Sequence, residues 1–215
     1  MSFEKDNVMR ILNLFASIGG NRLLWDDVLP GVKVTAVEFD PEIAKAYTKR
    51  YPNDNVIVCD AWDYAAKNYL DFDFIWASPP CQTHSRLNIP NNIRNDRTKI
   101  LPDFRLYELI VYLKFFCKKP FVVENVVPFY EPLVKPNVKL GRHYFWSNFY
   151  IPEKFFKKPN KTIEKTIVSD FIDFDLSLFK NIKNRRQIIR NQVDSNLGKY
   201  ILGCAFDKGL FDDTK

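Results

Sequence analysis

The sequence predicts an α/β fold, with a mostly parallel sheet covered by helices on both faces. Three observations point there. Short apolar runs alternate with helix-patterned stretches over roughly the first 126 of 215 residues, the signature of strand–helix–strand units. Chemistry-bearing residues fall just after the strand-like runs, where open α/β sheets bind ligands. Hydrophobic residues make up 46% of the chain and aromatics 15%, enough for a sizeable core and against wholesale disorder.

Taken in order, "RILNLF" reads as a buried strand and "GGNRLLWDDVL" as a helix after it. "KVTAVEF" is a strand. "PEIAKAYTKRY" is a helix with Pro41 in its first turn, where a missing N–H costs nothing. "NVIVC" is a strand, "AWDYAAKNYL" a helix and "DFIWA" a strand. A long polar loop runs from Ser78 to Pro102. "DFRLYELIVYLKFFCKK" has a strong helical pattern, and "PFVVENV" is a strand. "PFYEPLVKPNVKLGRH" is a proline-punctuated loop, "YFWSNFYI" a strand and "NLGKYILGCAF" a final helix.

Composition narrows the class. No apolar run approaches the length that crosses a bilayer, and "MSFEKDNVMR" leads into no signal-peptide core. The expectation is a soluble, cytoplasmic protein. The cysteines Cys59, Cys81, Cys117 and Cys204 are scattered, and His84 and His143 are the only histidines. Structural zinc and a disulfide framework are both poorly supported, so no metal is expected. The net charge is +6. Acids gather in the first half, while Lys154, Lys157, Lys158, Lys161, Lys165, Lys180, Lys183, Arg185, Arg186 and Arg190 crowd the second. That asymmetry fits a catalytic half and a polyanion-facing half.

Gly19 and Gly20 lie between the first strand and the helix read after it. Such a turn lets a ligand approach the backbone, although a plain tight turn reads the same way. Glu38 closes the second strand, where a carboxylate can accept both hydroxyls of a ribose. Asp60 comes just after the third, placed to accept from an adenine amino group. Asp40 and Asp63 are close enough to take either role. The three features together favour an adenosine-type ligand.

Cys81 comes after the fourth strand, and Pro79 and Pro80 stiffen its approach. As a thiolate it is a nucleophile; as a thiol it is a small packing residue. Glu124, at the end of a hydrophobic strand, is a partner acid or a salt-bridged one.

These motifs together resemble the DNA cytosine-5 methyltransferase family. "NLFASIGG" is similar to its cofactor turn, D-L-F-x-G-x-G-G, and "SPPCQTHS" to its P-C-Q nucleophile loop. "VENV" resembles its E-N-V motif, "RNQVDSNLGKYI" its late G-N-x-V motif and, more weakly, "GRHYF" its Q-x-R-x-R segment. The resemblance implies a Rossmann-like S-adenosylmethionine-dependent fold, S-adenosyl-L-methionine as cofactor and double-stranded, cytosine-containing DNA as partner. It implies Cys81 attacking carbon 6 of a flipped-out cytosine, Glu124 serving ring nitrogen 3 and Arg142 the ring oxygen. Phe15, Ser17, Gly19, Gly20, Glu38, Phe39, Asp60, Ala61, Pro80, Asn191 and Val193 would line the cofactor. Gln82, Ser85 and Asn125 would serve the substrate, with Asn125 bracing the loop around Cys81.

The chain departs from the family pattern at Asn13, Ser17, Leu140 and Arg190, where the pattern has an acid, a glycine, an arginine and a glycine. Its target-recognition segment is short, basic and aromatic, as in compact phage or prophage enzymes of restriction-modification type. Its aromatics Phe155, Phe156, Phe171, Phe174 and Phe179 either complete the core or meet bases. The expected division is a catalytic and cofactor core over 1–149, a reduced target-recognition segment over 150–188 and a C-terminal helix returning to the core over 189–215. A monomer or weak dimer is expected. Three other functions fit the residues: the same chemistry on RNA or a nucleotide, a silent DNA-binding relative, and a small-molecule methyltransferase. The last would not need Cys81.

Overall fold

The computed structural model describes residues 8–86, 101–156, 180–183 and 185–206. Seven strands form one sheet in the order β3-β2-β1-β4-β5-β7-β6. Strands β1 (Arg10–Leu14), β2 (Lys33–Glu38), β3 (Asn55–Val58), β4 (Phe74–Ala77) and β5 (Phe121–Val126) run parallel. Strands β6 (Val138–Leu140) and β7 (His143–Ser147) add an antiparallel edge against β5. The predicted class is therefore observed.

Strand β4 lies mid-sheet and is buried along its whole length, as expected of a parallel strand covered on both faces. Two apolar layers flank the sheet. Leu12, Leu14, Ile75, Phe121 and Val123 point to one side, against Leu106, Ile110 and Leu113 of α3 (Arg105–Phe116). Ile11, Phe74, Trp76 and Phe145 point to the other, against Leu197, Ile201 and Leu202 of α5 (Ser195–Phe206). Each fully buried leucine or isoleucine stabilises such a docking by about 1.5–3 kcal/mol.

Pro41 stands in the first turn of its helix as expected, and two aspartates cap the helices. Helix α1 (Pro41–Arg50) opens on Asp40, whose Oδ1 accepts from the Glu42 and Ile43 amides at 2.8 and 3.3 Å. Helix α2 (Ala61–Asn68) opens on Asp60, whose Oδ1 accepts from Trp62 and Asp63 at 2.8 and 3.2 Å. A further helix, α4 (Arg185–Asn191), precedes α5 and straddles the expected boundary at 188.

Two expectations are corrected. The helix read in "GGNRLLWDDVL" is a chain of turns, stepping mainly through i→i+3 bonds such as Arg22 N–H to Gly19 O and Trp25 N–H to Arg22 O. Side-chain anchoring overrides the helical pattern. Arg22 is drawn to Asp54, and Trp25 is sunk fully into the core. The loop read in "PFYEPLVKPNVKLGRH" contains β6, held by its ladder with β7. The expected target-recognition segment falls mostly outside the described residues, including Phe171, Phe174 and Phe179. Of its described aromatics, Phe156 packs on Tyr200 at 5.6 Å, while Phe155 is exposed. No helix among the described residues is long and apolar enough to cross a membrane.

Helix α5 docks through Gly198. A Cβ there would lie 2.2 Å from the carbonyl oxygen of Asn21, inside the turn region after β1. Gly198→Ala must push the helix off the turn. The expected cost is about 1–3 kcal/mol, a fall of roughly 2–10 °C in the melting midpoint, measured by calorimetry against Gly203→Ala, where the space is open.

Candidate active site

The site lies along the carboxyl ends of the parallel strands. The turn after β1 is unusual: Phe15, Ser17 and Gly19 all adopt positive φ, at 56°, 49° and 70°. For the two non-glycine residues this is a strained conformation, held by its surroundings. Ser17 N–H donates to Glu38 Oε2 at 2.8 Å, and Asp40 N–H to Oε1 at 3.0 Å. Gly19 leaves no room for a side chain, because a Cβ would meet Tyr51 and Tyr47 within 2.7 Å. Tyr51 donates to the Gly19 carbonyl at 2.6 Å.

A polar network supports this turn from beneath. Arg22 grips Asp54 with two bonds, Nε to Oδ2 at 3.0 Å and Nη2 to Oδ1 at 3.1 Å. Tyr47 Oη donates to the same carboxylate at 2.9 Å, and Asn21 Nδ2 to Asn13 Oδ1 at 2.9 Å. Asn13 therefore serves the turn as a buried bracing amide. A forked, hydrogen-bonded ion pair is the form in which buried charge is tolerated. The residues Arg22, Asp54, Tyr47 and Tyr51 were not singled out from sequence; only the fold brings them under one loop.

Glu38 is turned toward the glycine turn, whereas Asp40 spends an oxygen on capping α1 and Asp60 one on capping α2. Burial raises the Glu38 pKa, opposed by the backbone N–H donors around it. Backbone donors at Ser17, Phe39 and Asp40 leave part of its acceptor capacity for a further donor. Next to it Phe39 and Val58 stand exposed at the strand ends, an apolar lip awaiting cover. Phe15 packs edge-on against Trp62 at 4.4 Å, over which Arg105 lies at 4.2 Å. Ala61 is buried at the start of α2. Val193 is buried, its carbonyl 2.9 Å from where a Gly20 Cβ would stand, while Asn191 is exposed. The late segment therefore closes onto the glycine turn.

Cys81 sits in the loop after β4, half-buried, with Pro79 buried and Pro80 and Gln82 exposed. A tight turn holds it, as the His84 and Ser85 amides donate to the Cys81 carbonyl at 3.1 and 3.0 Å. Ser85 bridges Pro128. Asn125 is buried; its Nδ2 donates to Pro79 O at 2.9 Å and its Oδ1 accepts from Val126 N–H. Its amide is thus committed to holding the loop. His84 completes the clamp, with Nδ1 2.5 Å from Tyr130 Oη.

Glu124 is buried on β5. Its pKa is raised to about 7 by burial, with a Ser78 hydrogen bond and the Arg142 charge opposing. The Cys81 thiol is pushed up to about 11, first by burial and then by the Glu124 charge, with Arg142 opposing. Cys81, Glu124 and Arg142 therefore share one electrostatic neighbourhood. Arg142 itself is exposed in the turn before β7. Ser78 and His143 also belong here and were not assigned from sequence. Strand register is what brings them in.

The chemistry available is that of a shielded thiol beside a carboxyl that changes charge near neutrality. A family model described as C-5 cytosine-specific DNA methylase matches residues 9–136. The human tRNA (cytosine(38)-C(5))-methyltransferase is 26% identical over 127 residues, covering 54% of this chain and 32% of the relative. The chain thus matches about a third of that relative's length. Among solved structures, Entamoeba histolytica methyltransferase EhMeth aligns with a TM-score of 0.43 and 17% identity, over 77% of this chain and 64% of that one. A putative DNA modification methyltransferase encoded within a prophage (E. coli) aligns with a TM-score of 0.38 and 21% identity, over 57% and 33%.

Because Glu124 charge holds the thiol proton on, Glu124→Gln should speed alkylation of Cys81 at pH 8 by several-fold. Peptide mapping by mass spectrometry separates it from half-exposed Cys59. An unchanged Cys81 rate would show that the two groups are not coupled.

Proposed function

The chain belongs to the C-5 cytosine-specific DNA methylase family, and from that membership we propose that it methylates carbon 5 of cytosine in DNA through a covalent bond from Cys81. The observation that carries this reading is the coupling of Cys81 to Glu124 at one end of the sheet, on the same edge as Glu38. S-adenosylmethionine is the cofactor of this family, and the residues present fit it. Glu38, bonded to the turn through Ser17, keeps acceptor capacity for a further donor, and Phe39 and Val58 offer apolar cover beside it. Bound there, the cofactor supplies an electrophilic methyl group.

The chain's own residues do the rest. Cys81 gives its thiol proton to water, and its sulfur bonds to carbon 6 of the ring. Glu124 gives its proton to ring nitrogen 3, so the electrons displaced by sulfur collect toward carbon 5 and not as an unshielded anion. Protonated Glu124 also withdraws the charge that raises the thiol pKa, so arming the acid eases ionisation of the nucleophile. Once carbon 5 is methylated, water takes its proton, and the freed electron pair re-forms the carbon 5–carbon 6 double bond. The pair of the carbon 6–sulfur bond returns to Cys81, and nitrogen 3 returns its proton to Glu124. An internal cytosine must leave the stack to reach a half-buried thiol.

A second reading is favoured by one observation: the curated human relative is named for a tRNA cytosine. The same residues would act on an RNA cytosine without change. Duplex DNA and RNA carrying 5-fluorocytosine, each with the cofactor, separate the two. Fluorine blocks the final elimination, so an adduct through Cys81 should accumulate with DNA. Adduct with RNA alone transfers the reading to RNA. No adduct with either polymer, in protein shown to bind the cofactor, would sink both. Cys81→Ser should abolish the adduct, and Glu124→Gln should slow methyl transfer by about 100-fold or more.

A further inference from the structure

His143 opens β7, beside the strand that carries Glu124. Register sets their relation. Val126 pairs with His143 and Glu124 with Phe145, so residues 124, 126, 143 and 145 share one face of the sheet. His143 Nε2 lies 3.6 Å from Glu124 Oε1, with side chains 9% and 7% exposed. That separation is an ion-pair distance, slightly beyond a hydrogen bond. Among the described residues, the groups acting on or beside the carboxyl are Ser78 from the end of β4, Cys81 from its loop, Arg142 from the β6–β7 turn and His143 from β7.

We propose that His143 is the positioning residue for Glu124, its neutral ring donating from Nε2 to the carboxylate and fixing that carboxyl in the orientation the ring nitrogen of the base requires. The ring is held neutral by burial, which pulls its pKa down to about 3, with the Arg142 charge acting in the same direction. A neutral imidazole beside a carboxylate takes the tautomer with hydrogen on the facing nitrogen. It therefore donates to the ionised form of Glu124 and favours that form. Burial alone drives Glu124 the other way. Ser78 and Arg142 already oppose burial at this carboxyl, and a donor bond from His143 would add to that opposition, keeping the acid able to give and retake a proton. The inference rests on the reading that Glu124 is the acid of the reaction.

The test uses the whole chain, free of nucleic acid and cofactor. Infrared difference titration tracks the protonated-carboxyl band of Glu124, identified by its loss in Glu124→Gln. His143→Phe should move the midpoint up by roughly one pH unit, a tenfold change in the ionisation constant. His143→Gln keeps an N–H donor and should return the midpoint toward that of the unaltered protein. An unchanged midpoint in His143→Phe, or an equal shift in both variants, overturns the proposal, because a packing role would not distinguish phenyl from amide. Should His143→Phe fail to fold, nitrogen NMR of the unaltered protein decides. The Nε2 signal must track the Glu124 titration while the ring stays neutral; a signal blind to it overturns the proposal. A coupled titration in protein that forms no adduct with DNA or RNA would leave this inference standing and remove the methylation reading. Adduct without coupling would do the reverse.

Discussion

The site depends on a backbone constraint before it depends on any side chain, namely the common register of six strands. Ladder pairing aligns Ile57, Val37, Leu14, Ala77, Val123 and Trp146 across the sheet. On the five parallel strands, one residue further along the chain gives Val58, Glu38, Phe15, Ser78 and Glu124. Glu38 and Glu124, with Phe15 and Ser78 between them, therefore stand at the same height along the sheet. A strand slipped by one residue would turn its side chains to the opposite face. Glu124 would then point into the other core layer, where a carboxyl has no partner.

That alignment permits an electrostatic arrangement that isolated loops would not hold. Burial discourages charge on both Cys81 and Glu124, and the Glu124 charge further discourages ionisation of Cys81. The site is thus quiet in the free protein, with a thiol that stays protonated and an acid poised near neutrality. Arg142 tempers both groups from an exposed turn, where solvent limits its influence. Strain at Phe15 and Ser17 belongs to the same economy of position. It is held in place by the Glu38 carboxylate above and the Arg22–Asp54 pair below.

Much of this was legible in the chain. The period of the apolar runs marked β1 to β5, and the acids and the cysteine just beyond them marked the edge at which ligands gather. Pro41 marked the start of α1. The sequence misled where side chains recruit distant partners. "GGNRLLWDDVL" has the apolar spacing of a helix, yet the demand of Arg22 for Asp54 and of Trp25 for the core bends it into turns. Strand β6 is three residues long and exists only because β7 pairs with it, so no local pattern announced it. Ser78 and His143 lie within the stretches "SPPCQTHS" and "GRHYF", yet neither motif assigns them a role. Their placement comes from pairing between strands far apart in sequence, which periodicity does not encode.

The contact between Gly198 and the Asn21 carbonyl has a consequence in time as well as space. The glycine turn leaves the ribosome long before α5 does. Lys199 and Asp27, 172 residues apart, add an ion pair across the same junction. Contacts so distant along the chain close slowly, because the intervening loop entropy is lost before they form. During synthesis the apolar face of β1 and β4 that α5 covers is therefore bare until the helix emerges. Folding of the turn and arrival of α5 become one event, so a protein truncated before α5 should present a sticky sheet and not a partly working one.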